Sequence, residues 1–511
     1  MRNSNIAPAV SVGYPAGVEF DNQENIMPLI PNTSISRRSF LKAASLAAAA
    51  VQLPRAIGAK APGKKKPNFI IIFTDDQGYG DVGCFGSKLI RTPRLDRMAA
   101  EGMKFTSFYA QTVCGPSRAA LMTGCYPLRV AKRNNQVDIH PYLHAKEITV
   151  AEILKSAGYT TACFGKWDLA GHRQVGYDPK LLPTRQGFDY FFGTPTSNDS
   201  VVHLLRNEKV IEKRADMNTL TKRYTEDAIR FITDNKDKPF LVYMPHTMPH
   251  TRLGASKRFK GKSKRGLYGD VIEEIDWSVG RILDTVKSLS LDEKTYVLFF
   301  SDNGPWVIKK ANGGSAGALR GAKTSSWEGG LRVPCIMRAP GRIPAGKVCD
   351  EIACTMDVMP TLACLAGSKP PGDRVIDGRD ISALMHGKGD PGGHPRAFYY
   401  YVHTHLQAVR SGKWKLHLPR AAQPPWTPRW ARHIKAEDVI DIPKPMLFDL
   451  DADIGERKDL ADKNPDVVAR LLKLAKWARE DIGDYNVAGK NARFYDPQPK
   501  RPDAAKWLDR N

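Results

Sequence analysis

The sequence predicts an α/β protein with a large mixed central sheet flanked by helices and a smaller C-terminal α+β subdomain. Before residue 370, dense apolar runs alternate with helix-like segments, as in a sheet covered by helices on both faces. After it, alternating aromatic segments indicate an antiparallel sheet. The predicted boundaries are 1–61 for an N-terminal extension with an export signal, 62–370 for the main domain, 371–485 for the subdomain and 486–511 for a tail.

The N-terminal extension has the pattern of an export signal. Arg37 and Arg38 precede a short alanine-rich apolar run, and small residues follow near 56–61. The run is too short to span a bilayer, and small residues after it are typical of a cleavage site. The arginine pair resembles a twin-arginine signal. We therefore expect a periplasmic or secreted protein, exported by the twin-arginine machinery, with no stable membrane span. An ordinary amphipathic helix is the alternative.

The net charge limits the class of partner. The chain has 77 Lys and Arg against 54 Asp and Glu, a formal charge of +23. Residues 1–61 hold six basic and three acidic residues, so their removal would leave about +20. Such a charge favours a polyanionic partner. Without zinc-finger spacing or an RNA-binding signature, nucleic acid is not expected. The eight cysteines show no paired motif, so no disulfide framework is indicated, although one or two bridges stay open.

Acidic side chains follow the first predicted strand. Residues 69–73 form an apolar run typical of a buried parallel strand, and Asp75 and Asp76 come directly after it. Open α/β sheets place their sites at the carboxyl ends of such strands. Gly78 and Gly80 are expected to allow tight backbone turns near these carboxylates, with plain loop glycines as the alternative.

Three later apolar segments also end in polar residues. A helix-like segment leads into a predicted strand at 159–164, and two further strands end near His246 and His250 and at Asp302 and Asn303. Carboxylate and amide oxygens suit a hard cation, Ca²⁺ or Mg²⁺, better than zinc. Each acidic pair alone could be a turn or a helix cap. Together they favour a metal site at the strand ends.

The C-terminal part combines a hairpin with a terminal helix. Residues 397–418 alternate and are rich in aromatic side chains, as in antiparallel strands. A strand, a turn and a helix follow. Val468, Leu471, Leu472 and Ala475 are predicted to share one face of that helix. We expect this subdomain to pack on the main domain.

Cys114 opens the segment "CGPSRAALMTG", directly before a helix-like run. The residues alone leave four roles open for this cysteine: a buried structural residue, a nucleophile, a metal ligand or the target of a modifying enzyme. Buried structural cysteines are the commoner case.

This segment resembles the signature of the type I sulfatases, Cys-x-Pro-Ser-Arg followed by an alanine-rich, threonine-glycine stretch. The resemblance extends over residues 67–485. "DDQGYGD" and "SDNG" are similar to the two metal motifs of the family, "GKWDLAG" to its Gly-Lys-Trp-His-Leu-Gly motif, and "LRGAKTSSWEGGLRVP" to its lysine-bearing motif. The chain is thus identified as a member of this family, within the alkaline phosphatase superfamily. The resemblance implies an alkaline-phosphatase-like fold and an arylsulfatase-like sulfuric ester hydrolase.

The resemblance also implies a modified nucleophile and a metal. Cys114 would be oxidised to formylglycine by a maturation enzyme that recognises Pro116 and Arg118, and Arg118 would also hold the formylglycine hydrate. The implied ion is Ca²⁺, with Mg²⁺ as the alternative. Its implied ligands are Asp75, Asp76, Asp302, Asn303 and residue 114.

Three more residues gain roles from the resemblance. Lys166 and Lys323 would neutralise the sulfate, and His250 would act as the acid that protonates the leaving group. The family commonly has histidine where this chain has Asp168, and an ionised aspartate neither donates a proton nor attracts a sulfate. Asp168 could orient Lys166 or His250, or pair with an arginine. His246 and His172 stay open as competitors of His250.

We predict an exported, Ca²⁺-dependent sulfatase acting on a sulfated carbohydrate. The carbohydrate prediction depends on the positive charge and the export signal. A phosphonate monoester or phosphodiester hydrolase of the same superfamily and a catalytically silent polysaccharide-binding homologue are the alternatives. The basic run at 257–265 is either a solvated loop or a rim that attracts a polyanion, and Trp306 either packs internally or stacks on a sugar. The sugar, the sulfate position, exo or endo action and the oligomeric state stay open.

Overall fold

The computed structural model describes residues 66–130, 143–172, 176–199, 201–390, 396–422, 438, 440–484 and 487–493. The export-signal prediction for residues 1–61 lies outside these ranges, as does the tail beyond residue 493. Within the described residues, no helix has both the length and the apolar content needed to cross a membrane.

The strands form one large sheet and several small ones. In chain order they are β1 (Asn68–Thr74), β2 (Met103–Phe105), β3 (Phe108–Tyr109), β4 (Thr160–Lys166), β5 (Tyr190–Thr194), β6 (Leu204–Arg206), β7 (Lys209–Glu212), β8 (Phe240–Pro245), β9 (Thr295–Ser301), β10 (Cys335–Arg338), β11 (Lys347–Cys349), β12 (Ala353–Cys354), β13 (Ala397–Val402), β14 (His405–Ser411), β15 (Trp414–His417), β16 (Met446–Asp449), β17 (Gly483–Asp484) and β18 (Val487–Ala488). The large sheet has ten strands in the order β11-β2-β10-β9-β1-β8-β4-β5-β6-β7.

The middle of this sheet is parallel and its flanks are mixed. Strand β1 pairs in parallel with β8 and β9, and β4 pairs in parallel with β8 and β5. Strand β10 is antiparallel to β9 and β2, and β6 is antiparallel to β5 and β7. The four apolar segments that the sequence marked as strands ending in polar residues are therefore neighbours, in the order β9-β1-β8-β4.

Helices cover both faces of the large sheet. In chain order the α-helices of the described residues are α1 (Pro93–Ala100), α2 (Cys114–Thr123), α3 (Pro127–Val130), α4 (Val150–Ser156), α5 (Leu220–Asp234), α6 (Gly266–Ser288), α7 (Glu328–Leu331), α8 (Val358–Leu365), α9 (Ser382–Met385) and α10 (Pro465–Asp481), the last of which belongs to the C-terminal subdomain. Helices α1, α5 and α6 contribute to the apolar core on one face, and α2, α4 and α8 to the core on the other.

The alternation of side chains along β1 explains why this strand is apolar throughout. Phe69, Ile71 and Phe73 enter one core, and Ile70 and Ile72 enter the other. A strand buried on both faces needs an unbroken apolar run, as parallel strands between helices do. The predicted fold class, a mixed α/β sheet flanked by helices, is confirmed.

The C-terminal subdomain is a four-stranded antiparallel sheet in the order β13-β14-β15-β16, with α10 packed on it. Leu471 and Ala475 of α10 are buried in this packing, whereas Leu472 is 38% exposed. Leu472 therefore lies at the exposed edge of the predicted face, because each step along a helix rotates the side chain by about 100°. Tyr109 and Tyr126 of the main domain join the same apolar cluster, so the subdomain packs on the main domain.

Candidate active site

The site lies where four adjacent parallel strands end. Asp75 follows β1, Lys166 ends β4, His246 follows β8 and Asp302 follows β9. All four residues are 0% exposed. Because the carboxyl ends of parallel strands share one sheet edge, residues that are far apart in the sequence meet there.

The carboxylates form a tight cluster with an amide. Asp76 has a left-handed backbone, with φ of 64°, and its N–H donates to Oδ1 of Asp302 at 3.1 Å. Asn303 Nδ2 donates to Oδ1 of Asp76 at 2.8 Å. Gly78 lies against this loop, where a Cβ atom would come 2.1 Å from the carbonyl oxygen of Ser315. Glycine at position 78 therefore permits a close approach of two backbones rather than a left-handed turn.

The oxygens of this cluster fit a hard cation. Oδ1 of Asp75, Oδ2 of Asp76 and Oδ1 of Asn303 are buried and have no hydrogen-bond partner among the described residues. Buried acceptors without a partner are costly, and a cation removes that cost. Ligand atoms of Asp75, Asp76, Cys114 and His250 also lie within 4.8 Å of one another. The residues present therefore suit a divalent metal, and the all-oxygen part of the set suits Ca²⁺ or Mg²⁺.

Basic side chains surround the carboxylates. Arg118 is fully buried, and its Nη2 donates to Oδ2 of Asp75 and to Oδ2 of Asp302, both at 2.9 Å. Lys166 Nζ lies 2.6 Å from Oδ2 of Asp75. Burial alone would raise the pKa of Asp75, but the charges of Lys166 and Arg118 help to hold it below its usual range. Burial and the Asp75 carboxylate raise the pKa of Asp302 to about 8.

Cys114 is the first residue of α2 and is 6% exposed. Its Sγ lies 3.6 Å from Nζ of Lys323, and that ammonium group also contacts Oδ1 of Asp76 at 2.5 Å. Burial, followed by the charge of Asp75, raises the pKa of the Cys114 thiol well above its usual value. The unmodified thiol is therefore neutral and a poor nucleophile.

The rest of the cysteine segment holds this arrangement together. Ser117 Oγ donates to the carbonyl oxygen of Asp302 and accepts from the N–H of Gln111. Arg118 Nη1 donates to the carbonyl oxygen of Lys166 at 2.7 Å. Sequence reasoning assigned Arg118 to the nucleophile and to maturation. In the structure it neutralises two carboxylates and joins α2 to the ends of β1, β4 and β9.

Of the three candidate histidines, His250 has the contacts expected of a catalytic group. Its Nε2 lies 3.7 Å from Oδ2 of Asp76 and 3.6 Å from Oδ1 of Asp199. Its ring stands 5.4 Å from that of Trp306. His246 is fully buried, neither ring nitrogen has a hydrogen-bond partner in the described part of the chain, and burial lowers its pKa to about 4. His246 is thus a neutral core side chain.

Asp168 and His172 form a separate charged group beside His250. Oδ2 of Asp168 lies 3.6 Å from Nζ of Lys166, and its Oδ1 lies 3.2 Å from Nδ1 of His172. Nε2 of His172 in turn contacts Oδ2 of Asp199 at 2.8 Å. Burial alone would lower the pKa of His172, but the two carboxylates raise it to about 9. Asp168 thus contacts Lys166 and His172, and Asp199 connects His172 to His250.

Sequence reasoning missed Asp199 and its neighbour Asn198, whose Nδ2 donates to the carbonyl oxygen of His250 at 3.2 Å. Both follow β5, the strand next to β4 in the sheet. The segment "YFFGTPTSND" is another apolar run that ends in polar residues. Polar residues that directly follow an apolar strand are the predicted site candidates at the other four strands. The same criterion, applied to β5, would have found Asn198 and Asp199.

A site of this composition suits hydrolysis of an ester of a tetrahedral oxyanion. The buried ammonium groups of Lys166 and Lys323 can bind the oxygens of the anion, and the carboxylates can hold a cation. His250, beside them, can donate a proton to a leaving group. Comparisons with known proteins identify which class of ester. The sequence pattern of the sulfatase family matches residues 67–368, and that of the C-terminal region of aryl-sulfatase matches residues 393–497.

Individual relatives agree with the family match. N-acetylgalactosamine-6-sulfatase of Mus musculus is 36% identical, covering 84% of this chain and 89% of its own. Steryl-sulfatase of Homo sapiens is 32% identical, covering 86% and 90%. A solved structure from a Bacteroides thetaiotaomicron locus for glycosaminoglycan metabolism has 29% identity and a TM-score of 0.70, covering 81% of this chain and 99% of its own. The chain belongs to the type I sulfatase family and is a sulfuric ester hydrolase.

Proposed function

We propose that this chain hydrolyses sulfate esters of a carbohydrate, with a formylglycine hydrate made from Cys114 as the nucleophile and with Ca²⁺ in the site. The observation that carries the proposal is the position of Cys114. Its side chain lies among Asp76, Lys323 and the carboxylate cluster, yet its burial keeps the thiol neutral. A thiol in that state is unsuited to attack, so conversion by a maturation enzyme would place a competent nucleophile at this central position.

The cation would be held by Asp75, Asp76, Asp302, Asn303 and residue 114. Support comes from the unpartnered buried oxygens of Asp75, Asp76 and Asn303. When bound, the cation would polarise the sulfate oxygens and favour the ionised form of the attacking hydroxyl. Ca²⁺ is proposed over Mg²⁺ because carboxylate and amide oxygens alone can fill its larger and more flexible coordination sphere.

The remaining catalytic roles would belong to side chains of the protein. Lys166 and Lys323 are buried, and neighbouring carboxylates raise their pKa above the ordinary lysine value, so both stay positively charged and can hold sulfate oxygens. Arg118 donates to both Asp75 and Asp302 and so keeps them aligned, and its positive charge favours the ionised form of each. The hydrate would supply two hydroxyl groups on one carbon, one for attack at sulfur and one for the later release of sulfate.

His250 would give a proton to the oxygen of the leaving alcohol. Burial lowers its pKa below the ordinary histidine value, and the nearby Asp76 carboxylate opposes that shift. Only a fraction of an imidazole that titrates below neutrality carries the proton at neutral pH, but that protonated form is a strong enough acid to protonate an alkoxide as it leaves. Asp199 and the Trp306 ring would hold the imidazole in place.

A carbohydrate substrate is supported by charge and by relatives. The net charge of +23 suits a polyanion better than an uncharged sterol. One relative acts, by its name, on N-acetylgalactosamine 6-sulfate, and one similar structure belongs to glycosaminoglycan metabolism. Export by the twin-arginine route is also part of the proposal, because it would place the enzyme where extracellular polysaccharides occur.

The test is a substrate panel with protein matured in its native host or with a co-expressed maturation enzyme. We expect inorganic sulfate release from sulfated sugars and nitrophenyl sulfate, and little from steryl sulfate or phenyl phosphonate esters. Cys114→Ala should lose about 10⁴-fold or more of this activity. Mass spectrometry of the peptide containing residue 114 should give the mass of the aldehyde. Unmodified cysteine in active native protein, or faster phosphonate than sulfate hydrolysis, would contradict the proposal.

A further inference from the structure

Two long segments beside the site contain no acidic residue. Residues 246–269 carry seven Lys or Arg, and residues 303–327 carry four, while neither segment has an Asp or Glu. Other acid-free stretches occur, such as residues 102–137 and 391–436, so what sets these two segments apart is that both begin at residues of the site. Together the two segments carry eleven basic residues and no acidic one, and charge that the segment itself does not compensate strengthens the local field beside the site.

Both acid-free segments begin inside the site and meet at Trp306. The ring of Trp306 stands 5.4 Å from that of His250. Nζ of Lys323 lies 4.8 Å from the centre of a Trp306 ring, and Nζ of Lys309 lies 4.1 Å away. The Nε1 atom of Trp306 is buried and has no hydrogen-bond partner among the residues described. Trp306 thus connects the catalytic lysine to the basic surface outside and keeps a donor for a ligand.

The two segments also contact each other farther out. Nη1 of Arg265 donates to the carbonyl oxygen of Ala311 at 2.9 Å, and its Nη2 donates to that of Gly313 at 2.8 Å. These bonds join the loop at 257–264 to the turn that carries Lys309 and Lys310. The result is one continuous basic strip, defined as Lys257, Arg258, Lys260, Lys262, Lys264, Lys309 and Lys310.

The loop that carries most of the strip is held in a defined shape. The buried carboxylate of Asp270 accepts hydrogen bonds from the N–H groups of Gly261, Lys262 and Ser263, at 2.7 Å, 2.9 Å and 2.7 Å. In the part of the chain that the structure describes, the exposed ammonium groups of the four loop lysines pair with no carboxylate. Like charges fixed side by side repel one another, and a polyanion would relieve that repulsion.

We propose that the basic strip binds the chain of a sulfated polysaccharide and leads one sulfate group past Trp306 into the site. The spaced lysines fit the repeated sulfate or carboxylate groups of such a polymer, whereas a monosaccharide sulfate would not reach them. The ordered loop lowers the conformational cost of binding. This inference rests on the proposed sulfate-ester hydrolysis and extends it from a sulfated carbohydrate to a polymeric one.

The test compares two variants with the same change of net charge. The strip variant is Lys257→Gln, Lys260→Gln, Lys262→Gln and Lys264→Gln. The control variant is Lys347→Gln, Lys369→Gln, Lys463→Gln and Lys473→Gln, four exposed lysines on other parts of the molecule. We expect the strip variant to lose roughly 10-fold in kcat/KM on sulfated polymers such as chondroitin sulfate, heparin and carrageenan, with a flatter salt dependence. On nitrophenyl sulfate the strip variant should be as active as the wild type. The control variant should be as active as the wild type on the sulfated polymers and on nitrophenyl sulfate.

A binding measurement keeps this inference separate from the proposed function. On immobilised heparin, the strip variant should elute at lower salt than the wild type and the control variant. Equal elution of all three proteins, equal losses in both variants, or polymer turnover that is unchanged in the strip variant would each overturn the inference. Tighter binding of duplex DNA than of heparin at the same salt would overturn the assignment to a sulfated polymer. Absence of sulfate release from every substrate would instead contradict the proposed function. The elution test would still show whether the basic strip binds a sulfated polymer.

Discussion

The two sides of the site differ in how closely they follow the pattern of the family. On the side proposed to bind the sulfate, Asp75, Lys166 and Asp302 are fully buried at strand ends. On the leaving-group side, His172 and Asp199 lie on loops, with 31% and 43% of their side chains exposed. There the chain has an aspartate at 168 and a histidine four residues later. The residues within the motifs that resemble the family thus lie at the ends of strands, whereas the departure at Asp168 and its partners lie in loops, which vary more readily than the strands that they connect.

The largest expected effect concerns the sulfate side and removal of its cation. Chelation should lower activity by roughly 10³-fold, because a metal supplies several kcal/mol of charge stabilisation in the transition state. It should also lower the Tm, since the buried carboxylates would lose their counter-charge. The measurement is activity and thermal unfolding with chelator, then with Ca²⁺ or Mg²⁺ added back. Chelator already saturated with Ca²⁺ is the control, and an unchanged Tm and activity would argue against a metal on this side.

A smaller effect separates the histidines at the boundary between the two sides. His250→Ala should lose about 10²-fold in kcat/KM on a sugar sulfate and much less on nitrophenyl sulfate, because nitrophenolate leaves without a proton. His246→Ala is the matched control, since this residue is also buried after β8 but should leave activity close to the wild type. Equal losses on both substrates would show that His250 is not the leaving-group acid.

The smallest expected effect concerns the leaving-group side alone and depends on pH. The pKa of His172 rises from 6.5 to about 9 in the folded protein, because Asp168 and Asp199 favour its charged form. The charged form of His172 therefore stabilises the folded protein. This stabilisation is fully present below about pH 6.5 and is lost as the pH rises through about 9. The Tm advantage of the wild type over His172→Gln should therefore shrink between these pH values.

The control for this pH effect is Asp199→Asn, which removes one of the two carboxylates that contact His172. It should reduce the pH dependence without abolishing it, since Asp168 remains. A difference in Tm between the wild type and His172→Gln that stays constant from below pH 6.5 to above pH 9 would show that the charge of His172 does not contribute to stability.

The sequence predicted the strands of this protein better than it predicted the contacts of single residues. Local patterns predicted β1, β4, β8 and β9 as strands that end in polar residues, and the structure places all four side by side. Patterns gave weaker information about the roles of single residues. The predicted roles of Arg118, in maturation and in holding the hydrate, gave no sign of its hydrogen bonds to two carboxylates. Leu472 was placed on the same helical face as Leu471 and Ala475, but only the latter two are buried. In both cases the answer depends on neighbours that are distant in the sequence.

The amino-acid sequence by itself determined the fold class, the strand ends that carry polar groups and the family to which the chain belongs. These properties depend on periodicity and on short motifs, which are local. Only the tertiary structure decided that Asp168 contacts His172, that Asp199 connects His172 to His250, and that Arg265 joins two basic segments into one surface. Asp168 and His172 lie four residues apart in one loop, but the other contacts join different loops, and the energies of all of them depend on burial and distance, which no linear pattern contains.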